Sequence, residues 1–293
     1  MINDHISQFP KRIQNEQGAA HPSGRSFEYS QDVLACVSLF PNSGTRPRVQ
    51  RFEALHALEP LIKTLSAVYE IPPPTLAFLA PELLWKGKGC YDKELHEIRI
   101  SPKISSACMV QVVFHECHHA YQASLIAAAV VRDVADGRVS PDALNRFFPS
   151  LVDSVVLHRK HDDPELVAIG RLFQDSRNVV SAAQRYGSIT TDVDEYLMTQ
   201  KVYRNSFEEL CASVIECEVT VWQAEQKLRE LEECTALRRE LLAQFGWIGE
   251  VLFSVESRFL SWRGNALRTR IRRLSEEILH KCECIHQKLA GAG

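Results

Sequence analysis

The chain has 293 residues, enough for one large domain or two smaller ones. Apolar residues make up 45 % of it, charged residues 24 %, and the net charge is −3, a soluble globular balance with no global case for nucleic acid or an acidic membrane surface. No run reaches the roughly 20 apolar residues that span a bilayer, the start MINDHISQFPKR lacks the core of a secretory signal, and nine scattered cysteines suggest free thiols in a reducing compartment.

In chain order, residues 1–31 are rich in Ser, Gln, Asn and Gly without apolar period, and read as a flexible polar leader. Such a leader is compatible with the export signal of an injected bacterial effector, although an ordinary disordered terminus has the same composition. Residues 50–69 carry helical spacing at Phe52, Leu55, Leu58, Ile62 and Leu65. Pro60 is expected to kink or split that helix, and Ile71-Pro-Pro-Pro74 to stop it. TLAFLA at 75–80 reads as a short buried strand. The following KGKGCYDKELHEIRIS reads as a hairpin, with its turn in Gly89, Tyr91 and the Asp-Lys-Glu stretch. Its second strand places His96, Ile98 and Ile100 on one face.

One long helix is expected over Ser105–Val131, and helical pattern continues almost to the end. Breaks fall near Gly137–Pro141, at Pro149, over His158–Pro164 and over Gly187–Asp192. The His158–Asp163 cluster reads as a solvated loop, with a place in the lining of a cleft as the alternative. The last seventy-odd residues read as a helical hairpin with Trp222, Leu228, Leu231, Leu241, Phe245 and Ile248 as its apolar stripe. Its bend falls either at Gly246–Gly249 or at Arg263-Gly264-Asn265. Arg258–Arg273 holds six arginines and no acid, which reads either as the wet face of the final helix or as a contact for an acidic partner or membrane surface. Cys282-x-Cys284-x-His286 is half of a zinc pattern with no matching second pair.

The chemistry concentrates in MVQVVFHECHHAYQ, residues 109–122. His115 and His119 stand one turn apart on one helix face, so two imidazoles can grip one ion. Glu116 follows the first of them and falls beside the metal rather than on it, the position of a general base. His118 is the spare histidine, expected on the surface or behind the ligands.

Hairpin strand, short linker and apolar helix with His115-Glu116-x-x-His119 together resemble the catalytic core of zincin metallopeptidases. In the gluzincin branch a later helix supplies a glutamate as third ligand, commonly in Glu-x-x-Ala. Here YRNSFEELCASVIE, residues 203–216, offers Glu209-Leu-Cys-Ala212. Tyr203 and Arg204 stand six and five residues before that glutamate, as they do in small gluzincins. Phe207 replaces the proline that often stands two residues before the ligand, which leaves Glu208 in competition with Glu209. Helix phase favours Glu209: Ala212 and Ser213 lie one turn on and permit close approach, while Glu216 shares its face two turns away. No third histidine of metzincin kind follows His119.

The resemblance implies an α+β, mostly helical fold, with a small twisted sheet packed on the two metal-bearing helices. A polar leader over 1–31, a zincin-like domain over 32–218 with a helical insertion at about 132–194, and a helical arm over 219–293 complete the expectation. It further implies a zinc-dependent peptidase with His115, His119 and Glu209 on Zn2+, Glu116 as base, and Tyr203, ahead of Tyr121 and His158, as donor to the oxyanion. The expected partner is a protein or peptide substrate, with a further partner contact through the arm and neither nucleic acid nor stable membrane insertion. The setting is cytoplasmic, or a host cell reached by specialised secretion. A non-catalytic helical interaction protein with a degenerate metal site, and a zinc hydrolase of a non-peptide substrate, are the competing classes.

Overall fold

The computed structural model describes residues 48–79, 88–189, 192–244 and 246–290. The leader expected over 1–31 lies outside them, as does the end of the strand expected over 75–80. Helices dominate: α1 (Arg48–Tyr69), α2 (Ser106–Ala135), α3 (Pro149–Leu157), α4 (Pro164–Ile189), α5 (Val193–Arg204), α6 (Phe207–Ala243) and α7 (Gly246–Ala290). The strands are β1 (Thr75–Phe78), β2 (Gly89–Asp92) and β3 (Glu97–Ile100). The chain divides into two compact units, one holding the residues up to Glu216 and from Ile285 on, the other Cys217–Cys284. Among the described residues no helix is long and apolar enough to cross a membrane.

The sheet of the first unit has the order β1-β3-β2, with β1 parallel and β2 antiparallel to the central β3. Gly89 and Tyr91 belong to the strand rather than the turn, contrary to the sequence reading; the turn is the Lys93–His96 stretch. Asp92 makes that turn, its Oδ1 accepting the N–H groups of Glu94 at 3.0 Å and Leu95 at 3.1 Å. His96 closes it at φ 48°. Its ring is held by the Tyr91 hydroxyl at 2.7 Å and the Pro72 carbonyl at 2.7 Å, so a left-handed residue is fixed by two polar contacts. His96, Ile98 and Ile100 are all buried on one face, as alternation predicts.

The long helix α2 runs through the core between α1, α3, α4 and the sheet. Ser105 caps it, accepting the Cys108 N–H at 3.4 Å. Val110, Val113, Phe114, Ala120, Leu125 and Ile126 are at most 1 % exposed. A helix buried nearly all round is the arrangement in which any polar side chain needs a partner. Gly170 of α4 lies so close to the Leu125 carbonyl that a β-carbon would collide with it, which sets the spacing of α2 and α4. Pro60, expected to kink or split α1, lies inside one continuous helix. It stands on the exposed side and costs the helix one N–H bond, while Leu58, Leu61, Ile62 and Leu65 hold the buried side.

The solvated loop expected at His158–Asp163 is exposed at His158 and Arg159 but not at Lys160, which is 2 % exposed. Its ammonium donates to the carbonyls of Tyr69 at 2.6 Å and Glu70 at 2.9 Å, satisfying the C-terminal end of α1 with a cation.

The second unit is a helical hairpin whose bend is at Gly246, with φ 58°, rather than at Gly264. Gly264 lies inside α7, where a β-carbon would touch Leu228 and Leu231 of α6 at 3.8 Å. Leu241 and Ile248, placed in the apolar stripe by sequence, are 51 % exposed and do not form the hairpin seam.

Candidate metal centre

Two elements build the centre: α2 supplies His115 and His119, and the first turns of α6 supply Glu209. These three side chains form the group that can hold a metal ion. Nε2 of His115 lies 3.1 Å from Nε2 of His119. Glu209 turns one oxygen to each ring, Oε1 at 3.4 Å from His115 and Oε2 at 3.5 Å from His119. Donors about 2.1 Å from a common tetrahedral centre stand roughly 3.4 Å apart, so these spacings fit a small divalent cation. Glu209 Oε2 is buried and makes no hydrogen bond of ordinary geometry, which a bound cation would remedy.

Behind the donors, each histidine is held by its other nitrogen. His119 Nδ1 meets Gln122 Oε1 at 2.8 Å, and the Gln122 amide donates to the Glu208 carbonyl at 2.8 Å. His115 Nδ1 faces Glu216 Oε2 at 3.4 Å. Protons placed on both Nδ1 atoms leave both Nε2 lone pairs turned toward Glu209, the tautomers that metal ligation requires. Gln122 was missed by the sequence reading, although its position three residues after His119 on a buried helix was the available signal.

Charge in the site favours a cation. Burial would lower the His115 imidazole, yet the Glu209 and Glu216 carboxylates carry it up to about 10. Burial would raise the Glu209 carboxyl, but the His115 and His119 rings hold it well below the usual carboxylate range. A region that binds protons this tightly is one where a divalent cation replaces them to advantage.

Glu116 stands beside the donors without joining them. It is 6 % exposed, and the Tyr91 backbone N–H of β2 lies near enough to favour its charged form. Gly89 makes room for it: a β-carbon there would collide with Val112 and reach 3.4 Å from Glu116 Oε1. Burial raises the Glu116 carboxyl, opposed by the nearby His115 and His119. Tyr203, at the end of α5, has its hydroxyl close enough to the centre to feel the Glu209 carboxylate; burial and then the Glu209 charge raise that hydroxyl, keeping it a donor.

Glu208, the competing carboxylate, has Oε1 at 2.5 Å from the Arg177 guanidinium of α4 and 4.0 Å from Nδ1 of His119, the ring nitrogen turned away from Glu209. His118 is buried rather than exposed, edge-on to Tyr69 at 6.0 Å, and burial holds it down to about 3. Tyr121 stacks on Tyr69 at 4.8 Å beneath Lys160, and His158 faces Glu70 at 3.9 Å, so neither of these two donors joins the group. Among the described residues no metal-holding group includes Cys282, Cys284 or His286. No protein-family model, no curated protein and no solved structure matches the chain.

Proposed function

We propose that the chain is a zinc metallopeptidase of gluzincin type, in which His115, His119 and Glu209 hold the ion. The observation that carries the reading is the pairing of a His-His-Glu donor set with a fourth buried group, Glu116, that lies beside the set and is not part of it. A structural metal site has no use for that extra carboxylate. Two imidazoles and one carboxylate are a donor set suited to zinc with a position left open. When bound, zinc polarises a carbonyl and makes water a nucleophile near neutral pH.

Glu116 takes a proton from the attacking water and delivers it to the departing amine nitrogen. The nearby Tyr91 N–H favours its charged form, the form that takes the proton. Tyr203, protonated at every physiological pH, donates its hydroxyl to the oxyanion that develops on the peptide carbonyl. Gln122 and Glu216 keep the histidine rings from rotating. A cytosolic protease, including one delivered into a host cell, fits the thiol-rich chain.

The test is Glu116→Gln on purified protein, with bound metal measured alongside cleavage of a peptide library. Hydrolysis should fall by about 10² to 10⁴-fold while zinc is retained. Retained hydrolysis at the wild-type rate would rule out this mechanism, and zinc absent from the wild-type protein would rule out the site.

A further inference from the structure

Helix α7 presents two faces to its surroundings, and only one of them is used by the hairpin. Toward α6 it turns Gly249, Phe253 and Gly264, which at about 100° per residue share an arc of roughly 60°. Gly249 leaves no space for a β-carbon beside the Leu242 carbonyl, Gly264 faces Leu228 and Leu231, and Phe253 lies 5.0 Å beneath the Arg239 guanidinium. Trp247, Ile248, Val251, Leu252, Phe259 and Trp262 fall in another arc, roughly 140° wide and centred on the opposite side. All six are between 51 % and 74 % exposed.

The same face changes character along its length. Between Glu256 and Glu276 stand six arginines and no acid. Arg258, Arg263, Arg270, Arg272 and Arg273 fall within the exposed apolar arc or about 20° beyond its edges. Arg268 stands outside it, paired with Glu232 of α6 at 2.8 Å. Arg263 lies 5.8 Å over the Phe259 ring, so cation and aromatic occupy one surface.

We propose that this face of α7 lies on an anionic lipid surface, parallel to the bilayer and without crossing it. Tryptophan, phenylalanine and leucine side chains at such a face sink into the boundary between headgroups and acyl chains. Arginines flanking them reach lipid phosphates, as a basic cluster on an amphipathic helix does. The charge pattern selects this occupant. An acidic protein would answer the arginines and leave the apolar half in water. A second copy would cover the apolar half, but would press Arg258 and Arg263 against their own counterparts and leave Arg270 and Arg273 unanswered. A bilayer surface offers apolar matter and negative charge within about 10 Å of each other, which suits both halves. The surface is independent of the metal centre, and its test needs no enzymatic readout.

The full chain should co-sediment with phosphatidylcholine vesicles that contain phosphatidylserine, and not with phosphatidylcholine alone. Binding should blue-shift the tryptophan emission and fade in high salt. Trp247→Ser with Trp262→Ser should weaken binding at least about tenfold and remove the blue shift. Arg263→Gln, Arg270→Gln and Arg273→Gln should each weaken it about fivefold. Circular dichroism unchanged from wild type would show these exposed substitutions leave the helices formed. Failure of the wild-type chain to bind phosphatidylserine vesicles would overturn the proposal. So would a chain that dimerises in sedimentation velocity and becomes monomeric on the tryptophan substitutions, since the face would then belong to a second copy.

Discussion

Glu216 Oε2 stands 3.4 Å from Nδ1 of His115, and Nε2 of the same ring stands 3.4 Å from Oε1 of Glu209. One imidazole is thus gripped between two carboxylates seven residues apart on α6, two turns of one helix face. The two carboxylates do different work. Glu209→Ala should cost as much zinc affinity as His115→Ala or His119→Ala, because each removes a donor. Glu216→Ala should cost about 10 to 100-fold, the usual effect of losing a group that orients a ligand. Glu208→Ala should leave affinity nearly unchanged, since its side chain serves Arg177. Zinc titrations of the alanine variants check the order; an intact affinity in Glu209→Ala places the metal elsewhere.

Gln122 is fully buried and bridges His119 to the Glu208 carbonyl, tying α2 to the start of α6. Gln122→Leu removes an acceptor and a donor at once and leaves two buried groups unanswered. It should lower stability by about 1–3 kcal/mol and zinc affinity by about tenfold or more. Gln122→Glu restores the acceptor for His119 and should recover most of the zinc affinity. Denaturant melts and metal titrations of the pair separate the two effects.

Gly89→Ala places a methyl group against Val112 and 3.0 Å from the Arg99 carbonyl. Strand β2 must then move off α2, taking with it the Tyr91 N–H that lies near Glu116. A stability loss of about 1–3 kcal/mol is expected from overpacking. On the proposed mechanism cleavage should fall further than metal content, because the strand beside Glu116 moves while α2 and α6 keep His115, His119 and Glu209 in place. Parallel measurement of turnover and bound metal checks this.

Glu218 opens the hairpin unit, 5 % exposed and without a hydrogen-bond partner on either oxygen. Burial pushes its carboxyl up to about 7 from 4.5. Between those values the folded chain holds a proton that the unfolded chain has released, so stability falls as pH rises through the window. The loss is complete above pH 7 and amounts to about 3 kcal/mol for a shift of this size. Glu218→Gln should therefore stabilise the protein at pH 8, do little at pH 4.5, and flatten the profile between. Thermal melts across that range would refute the assignment if wild type and Glu218→Gln run parallel.

Local patterns in the sequence determined the helices, the β2–β3 hairpin with its buried face at His96, Ile98 and Ile100, and the pairing of His115 with His119. Each depends on spacing within a few residues, which helix and strand geometry convert directly into shared faces. Glu209 was legible for a related reason, since small residues one turn away mark the face on which two helices come close. Contacts between distant segments decided the rest. Lys160 reads as part of a solvated loop until the end of α1 is brought to it, and Gln122 goes unremarked until His119 and the Glu208 carbonyl stand on either side. Pro60 does not split α1, because buried leucines and isoleucine on the far side outweigh one missing hydrogen bond. His118 reads either as a surface group or as one behind the ligands, and α1 decides for a buried place by laying Tyr69 against it. A polar side chain's role is fixed by what the fold places within about 3 Å of it, and that neighbour usually lies far away in sequence.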